Sequence, residues 1–311
     1  MTLLERLVNI DSPSSAPGGT TAVQTVIAEQ LERLGFSIRW HAVGPEDGRF
    51  ALEANYDTSS SDRVTLMGHV DTVFPIGTAA RRPFSLVGKR AHGPGVSDMK
   101  AGLALMTAAA AALVRGGALD AVPSVRVVLT SDEELGTPYS KEVIRELVDG
   151  SRCVLNCEPG RHNGAVVTSR RGSAHLLLET TGVEAHSGTD FLKGRSAVVS
   201  LARGIVELEA LNQLPGDQTI NVGLVSGGTA TNVVPGHAAA KVHVTFSEED
   251  AGEAIIDLAR AAVARAAIPG TRAELTGGIS FLPMPATLQG ERLFDTYRDV
   301  TALLGLQVTS E

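Results

Sequence analysis

The sequence has few aromatic residues, few cysteines and no excess of basic charge. Aromatic residues make up 4% of the 311 residues, and the formal net charge is -8. A nucleic-acid-binding surface needs clustered basic residues, often with aromatic side chains for base stacking, so the composition argues against a nucleic-acid partner. The two cysteines, Cys153 and Cys157, are interpreted as small apolar side chains in a reducing compartment, and we assign them no catalytic role.

Long apolar runs are also missing. No window approaches the roughly 18 uninterrupted apolar residues that read as a membrane-spanning helix. The N-terminal stretch "MTLLERLVNIDSPS" carries Glu5, Arg6 and Asp11 where a signal peptide would be apolar. These features predict no membrane partner and a cytoplasmic location. The hydrophobic content of 43% is enough for a large core, and the length allows two domains.

Strand and helix patterns alternate in the first half of the chain. The β-rich stretches "RVTLMG", "VRVVLT" and "CVLNC" predict strands, and helical patterns cover residues 2–9, 21–34, 99–114 and 141–148. This alternation predicts an α/β domain with a mostly parallel sheet and helices on both faces.

The pattern changes in the second half. Longer strands are predicted at "SAHLLLETTG", "TINVGLVSGG", "AAAKVHVTF" and "AELTGG", with helices over residues 197–211 and 249–266. This order fits a two-layer α+β domain of the split βαβ, ferredoxin-like kind. We therefore predict a larger domain from residues 1–167 and 278–311, and an inserted domain from residues 168–277.

Histidine and acidic residues follow three predicted strands of the first half. These residues are His69 and Asp71 after "RVTLM", Asp132, Glu133 and Glu134 after "VRVVLT", and Glu158 after "CVLNC". Because the carboxyl ends of parallel strands form the ligand crevice of an open α/β sheet, we expect these side chains to converge. Asp98 joins them from a loop, where it is predicted to be the N-cap of the alanine-rich helix.

Each of these residues also has a simpler interpretation. A single histidine after a strand is commonly a core or surface residue, and an acidic triplet is commonly a solvated loop. Their coincidence is what favours a site, because so many converging carboxylates need cations to balance their charge. Nitrogen and oxygen ligands without thiolate favour zinc, with cobalt or manganese as possible substitutes, and a carboxylate between two ions can bridge them.

Five motifs together resemble one known family. "GHVDTV", "GPGVSDMKAG", "SDEELG", "NCEPG" and "AHSG" occur in the order found in the zinc-dependent family of carboxypeptidase G, acetylornithine deacetylase, succinyl-diaminopimelate desuccinylase and aminoacylase. The resemblance implies two zinc ions. It implies that His69 and Glu158 bind one ion, that Glu134 binds the other, and that Asp98 bridges them.

The resemblance also implies the catalytic roles. Asp71 would orient His69, and Glu133 would be the general base that takes a proton from the attacking water. His186 would stabilise the oxyanion, from the opposite subunit in dimers, and Asn232 would donate a hydrogen bond to the substrate carbonyl. The region 168–277 would be a lid and would form a homodimer.

Two departures from the family pattern matter. Relatives that act on a free carboxylate often carry an acidic-x-Arg pattern where this chain has His243 and Thr245, so we keep the substrate class broad. The family pattern also continues past Glu311 with a further histidine ligand, which implies a longer natural chain. We therefore expect the site of His69, Asp98 and Glu158 to be complete, and the site that contains Glu134 to be one ligand short.

Three functions remain open at this stage. The first is a metal-dependent hydrolase that cleaves an amide bond of a peptide-like or N-acyl amino-acid-like small molecule. The second is a catalytically impaired binding or regulatory homologue, and the third is a phosphoesterase. The general base Glu133 and the His69–Asp71 pair favour the hydrolase, and no phosphate-cradling glycine loop lies near the strand ends.

Overall fold

The computed structural model describes residues 2–44, 48–117, 123–161 and 163–311 of the chain. These residues form two compact units, Met1–Gly160 and Arg161–Glu311. The finer domain boundaries drawn from the sequence stay a prediction.

Within residues 2–44, 48–117 and 123–160, the first unit has seven strands and five α-helices. Its strands are β1 (Ser37–Ala42), β2 (Phe50–Tyr56), β3 (Arg63–His69), β4 (Ser85–Val87), β5 (Arg90–His92), β6 (Ser124–Thr130) and β7 (Cys153–Asn156). Its helices are α1 (Leu3–Val8), α2 (Pro17–Glu32), α3 (Thr78–Arg81), α4 (Ala101–Arg115) and α5 (Lys141–Val148).

Five of these strands form one sheet in the order β1-β2-β6-β3-β7. β3 pairs in parallel with both β6 and β7, whereas β2 pairs antiparallel with both β1 and β6. Four of the five strands therefore run in the same direction, which confirms the predicted mostly parallel sheet.

The two faces of this sheet are covered differently. The main core lies on the face where α2 and α4 pack, and Leu103 and Met106 of α4 belong to the same buried cluster as Val127 and Leu129 of β6. By length and composition alone α4 and the turn before it are apolar enough to cross a membrane, but α4 is the core helix of this face. On the opposite face, the Arg126 side chain donates to the Leu147 carbonyl at the end of α5. The sheet thus has helices on both faces, as predicted.

The second unit is built around a separate antiparallel sheet. Its elements are β8 (Gly172–Thr181), β9 (Ala185–His186), α6 (Ala197–Ala210), β10 (Thr219–Gly227), β11 (Val233–Val234), β12 (His237–Phe246), α7 (Glu249–Ala266), β13 (Arg272–Phe281) and α8 (Leu288–Leu303). The four long strands are ordered β10-β12-β8-β13, which is the arrangement of the split βαβ fold.

Alternating burial along the long strands explains why this sheet has one covered face. In β8, Ala174, Leu176 and Leu178 are buried, and they pack with Leu201 of α6 and Ile255 of α7. Because side chains alternate between the faces of a strand, the intervening residues of β8 lie on the other face of the sheet. The predicted ferredoxin-like domain is therefore present.

Candidate metal centre

The register of the parallel strands brings three loops to one edge of the first sheet. His69 pairs with Thr130, and the Val70 N–H donates to the Thr130 carbonyl over 2.9 Å. On the other side of β3, the Cys157 N–H donates to the Met67 carbonyl over 3.0 Å. The residues that follow β3, β6 and β7 therefore leave the sheet next to one another, as the sequence pattern predicts.

Asp98 reaches the same place from a turn that precedes α4. The prediction that Asp98 is the N-cap was wrong: the N-cap of α4 is Lys100, and Asp98 and Met99 have non-helical dihedral angles. Met99 is fully buried, and its sulfur accepts the backbone N–H of His69 over 3.1 Å. This contact anchors the turn beside the end of β3, so Asp98 faces the imidazole rather than the helix end.

The imidazole of His69 lies at the centre of the cluster. Its Nε2 atom is 3.1 Å from Asp98 Oδ1, 3.2 Å from Glu158 Oε1 and 3.7 Å from Glu133 Oε2. Ligand atoms of His69, Asp98 and Glu134 also lie within 4.8 Å of one another, as do those of His69, Glu133 and Glu158. All five residues that the sequence placed at the metal site or at the general-base position are therefore together.

The donor set fits a divalent cation. With ligand bonds of about 2.1 Å, neighbouring ligands of a tetrahedral zinc ion are about 3.4 Å apart, close to the separations of His69 Nε2 from Asp98 and Glu158. Imidazole nitrogen and carboxylate oxygen are ligands that zinc, cobalt and manganese accept. Among the ion pairs of the described residues, His69 is the only positively charged partner of Asp98, Glu133 and Glu158. The carboxylates thus form an excess of negative charge that a metal would balance.

Asp71 connects the parts of this centre and is fully buried. The Nδ1 atom of His69 is 3.0 Å from the Asp71 backbone carbonyl and 3.3 Å from its Oδ1 atom. Either acceptor holds the proton on Nδ1 and leaves Nε2 free to bind a metal. The Asp71 carboxylate also accepts the backbone N–H groups of Glu133 and Glu134, over 3.2 and 3.1 Å.

Glu133 and Glu134 occupy a single helical turn after β6. Asp132, which precedes them, is fully buried and accepts the N–H groups of Tyr139 and Ser140 as well as the Ser140 hydroxyl. These bonds close the loop that follows the turn. Asp132 therefore holds the two glutamates in place without joining the cluster itself.

The crowding of acidic groups changes their proton affinities. Burial raises the pKa of Glu134 to about 7, and the charges of Asp98 and Glu133 add to that rise while His69 opposes it. Burial also raises the pKa values of Asp98 and Glu133. Burial would lower the pKa of His69, but hydrogen bonds and charges from Asp71 and Glu158 raise it to about 11. In the absence of a metal, protonation thus compensates part of the charge.

The other two predicted site residues, His186 and Asn232, lie in the second unit. His186 belongs to β9, which pairs with β11, and the Ser187 N–H donates to the Asn232 carbonyl over 2.9 Å. The exposed imidazole of His186 accepts the N–H groups of Gly188 and Thr189 at Nδ1, over 3.1 and 3.3 Å. A neutral His186 with this geometry carries its proton on Nε2.

Several supporting residues were not found from the sequence. Met99 contacts His69 and Ser14 contacts Asp71, and neither contact was predicted. No separate role was predicted for Asp132. No short motif joins Ser14 to Asp71, because they lie far apart along the chain. Only the folded structure brings such partners together.

Comparison with protein families gives two matches. The model described as the peptidase dimerisation domain matches residues 168–271, and the model described as peptidase family M28 matches residues 52–191. The two matches overlap at residues 168–191.

Among curated proteins, the succinyl-diaminopimelate desuccinylase of Phenylobacterium zucineum is 30% identical over 285 residues, which cover 86% of this chain and 72% of that protein. Carboxypeptidase G2 of Pseudomonas sp. is 27% identical over 251 residues, which cover 79% of this chain and 60% of its own length. The chain thus spans less than two thirds of that carboxypeptidase.

Solved structures show the same fold. An aminopeptidase PepT from Bacillus cereus matches 99% of this chain and 82% of its own with a TM-score of 0.81 and 20% identity. The YXEP protein of Bacillus subtilis, described as a dinuclear metal-binding peptidase of the M20 family, matches 99% of this chain and 80% of its own with a TM-score of 0.65 and 14% identity.

Proposed function

Because the chain belongs to the metallopeptidase and deacylase family of carboxypeptidase G and succinyl-diaminopimelate desuccinylase, we propose that it is a metal-dependent amide hydrolase. Its substrate is a small peptide-like molecule or an N-acyl amino acid. The donor set around His69 supports this proposal, and so do the activities given in the names of the relatives.

The proposed metal is zinc. His69 and Glu158 would hold one ion, Glu134 would contribute to a second, and Asp98 would bridge the two. The separations of His69 from Asp98 and Glu158 support this assignment. A bound divalent metal ion lowers the pKa of water and polarises a substrate carbonyl.

Glu133 is the proposed general base. It is half-buried beside the imidazole, and burial raises its pKa, which favours a carboxylate that can accept and then release a proton. Glu133 would accept a proton from the attacking water and deliver it to the departing amide nitrogen. The Asp71 carboxylate would keep His69 oriented throughout the reaction. The same carboxylate also fixes the turn that carries Glu133.

One observation carries the proposal, namely the convergence of His69 with four carboxylates at one edge of the sheet. The experiment is a hydrolysis assay with a panel of N-acyl amino acids, dipeptides and amino-acid amides, with and without added Zn²⁺. We expect at least one amide to be cleaved with zinc and its cleavage to stop with a chelator. If no member of the panel is cleaved by zinc-loaded protein, the hydrolase proposal is wrong.

We further propose a homodimer formed through the region 168–277, in which His186 and Asn232 assist the reaction. Strand β10 is at one edge of its sheet and exposes Leu224 and Val225, and such an edge is commonly covered by a second subunit. Analytical ultracentrifugation tests the dimer, and a monomer at all concentrations would contradict it.

The site gives no sign of an impaired homologue, since Glu133 lies beside His69 in the described part of the chain. The substrate class stays broad. Thr245 shares a hydroxyl hydrogen bond of 2.7 Å with Thr219, so its side chain is used within the sheet. The cytoplasmic location stays a prediction.

A further inference from the structure

One short segment before α2 contacts two of the segments that surround the proposed metal centre, the turn before α4 and the loop after β3. This segment, residues 9–14, has the sequence "NIDSPS". Its Ile10 carbonyl accepts a hydrogen bond from the buried Lys100 ammonium group over 2.7 Å. Lys100 lies two residues after Asp98. Its Ser12 carbonyl accepts the Thr72 N–H over 2.9 Å, next to Asp71.

Within segment 9–14, two buried serines donate hydrogen bonds to the loop after β3, but to different acceptors. Ser12 donates to the backbone carbonyl of Val70 over 2.8 Å. Ser14 donates to the Oδ2 atom of Asp71 over 2.6 Å. Only the second bond reaches a side chain that itself contacts the imidazole of His69.

The Asp71 carboxylate has two oxygens and several partners. Oδ1 lies 3.3 Å from His69 Nδ1 and accepts the Glu133 N–H, and Oδ2 accepts the Glu134 N–H together with the Ser14 hydroxyl. The hydroxyl is the only side-chain donor to Oδ2 among the described residues. Without it, the carboxylate keeps only His69 Nδ1 and the backbone N–H groups of Glu133 and Glu134 as partners, so it is freer to rotate away from the ring.

Arg49 in turn fixes the backbone of Ser14. The guanidinium of Arg49 donates to the Ser14 carbonyl over 2.7 Å and to the Ser131 carbonyl over 2.9 Å, at the end of β6. It also lies 5.2 Å from the ring centre of Tyr139. The serine that contacts Asp71 is thus fixed to the same strand end from which Glu133 and Glu134 emerge.

We propose that Ser14 is a positioning residue of the metal centre, which acts through Asp71 to fix the orientation of His69. The inference rests on the proposed function in that it takes the cluster around His69 as a metal site. Loss of a residue that helps to orient a metal ligand through hydrogen bonds commonly lowers metal affinity 10- to 100-fold.

The test is the Zn²⁺ affinity of the metal-free full chain, measured by competition with a chromophoric chelator. Ser14→Ala is expected to lower the affinity about tenfold. Ser12→Ala is the matched control, because it removes an equally buried hydroxyl from the same segment without touching Asp71, and it is expected to stay within about twofold of wild type. Ser14→Cys, with a side chain of similar shape and a weaker donor, is expected to fall between Ser14→Ala and wild type.

A double-mutant cycle separates this role from a general loss of stability. In an Asp71→Asn background, Ser14→Ala should cause little further loss of Zn²⁺ affinity, because the carboxylate that Ser14 positions is already absent. Equal losses in Ser14→Ala and Ser12→Ala, or no loss in Ser14→Ala and Ser14→Cys, would overturn the inference.

The outcome is distinct from that of the hydrolysis assay. Wild-type protein that binds Zn²⁺ but cleaves no amide contradicts the proposed function, while the comparison of the two serine variants still decides the role of Ser14. Wild-type protein that binds no Zn²⁺ contradicts both.

Discussion

A β-carbon on Gly102 would collide with the carbonyl oxygen of Cys157. Gly102 lies in the first turn of α4, four residues after Asp98, and Cys157 immediately precedes Glu158. The absence of a side chain therefore lets α4 approach the end of β7. This close approach brings two of the proposed metal ligands to the same imidazole.

Gly102→Ala is expected to weaken Zn²⁺ binding and to destabilise the first unit by about 1–3 kcal/mol, because α4 must move away from Cys157. The matched control is Gly18→Ala in α2, where an added β-carbon meets no atom within 4 Å. This control should not lower stability, since alanine is favoured over glycine in helices. Urea unfolding followed by the fluorescence of Trp40, the only tryptophan, reports on the first unit. Equal behaviour of the two variants would contradict the packing argument.

Glu133→Gln and Glu134→Gln are both expected to reduce hydrolysis, but for different reasons. Glu133→Gln removes the proposed base, so the hydrolysis rate should fall by about 10² to 10⁴-fold while Zn²⁺ content is kept. Glu134→Gln removes a proposed ligand and should lower the Zn²⁺ affinity of the protein. Metal content and steady-state rates of both variants check this difference. Wild-type turnover by Glu133→Gln would show that another group accepts the proton.

His186→Gln is expected to lower the turnover of the best amide substrate by about 10² to 10³-fold without changing Zn²⁺ content, because its Nε2–H would no longer stabilise developing negative charge. The control is His237→Gln, another exposed histidine of the second unit, which lies 3.6 Å from Glu179. Similar rates for the two variants would remove His186 from the proposed mechanism.

A buried charge cluster away from the metal centre predicts a pH dependence of stability. Burial would raise the pKa of Glu53, but hydrogen bonds from Asn55 and His41 and the charge of Arg126 lower it below its ordinary value of 4.5. The folded state therefore favours ionised Glu53. Its contribution to stability is present above the ordinary pKa and is lost as the pH falls through the lower folded value.

Glu53→Gln should cost about 3 kcal/mol near neutral pH, because the partly buried Arg126 then loses its charged partner. The difference from wild type should shrink as the pH falls below about 4. Trp40 pairs with Leu52, next to Glu53, so its fluorescence during urea unfolding measures this effect. Glu29→Gln is the surface control, because the ion pairs of Glu29 with Arg6 and Arg33 are 3.9 and 4.0 Å long and exposed. A pH-independent loss in Glu53→Gln would contradict the assigned charge state.

Local sequence patterns predicted the strongest elements well. Helices α5 and α7 have the predicted bounds, and the strand-end positions of His69, Glu133 and Glu158 follow directly from the alternation of strands and helices. The start of α2 was predicted four residues too late, because Gly18 and Gly19 in its first turn have poor helix propensity.

The remaining features depend on contacts between distant segments. Asp98 was placed at a helix N-cap because its neighbours along the chain indicated one, whereas the contact between Met99 and His69 determines its position. Strand β2 was not predicted, although it lies between β1 and β6 in the sheet. Hydrogen bonds such as that from Ser14 to Asp71 leave no local signal in the sequence.

The most direct test of the metal centre is an anomalous difference map, recorded at the zinc absorption edge, from crystals grown with Zn²⁺. We expect a peak about 2.0–2.2 Å from His69 Nε2 and from carboxylate oxygens of Asp98 and Glu158. Well-ordered side chains at these three positions with no anomalous peak between them would contradict the proposed metal centre.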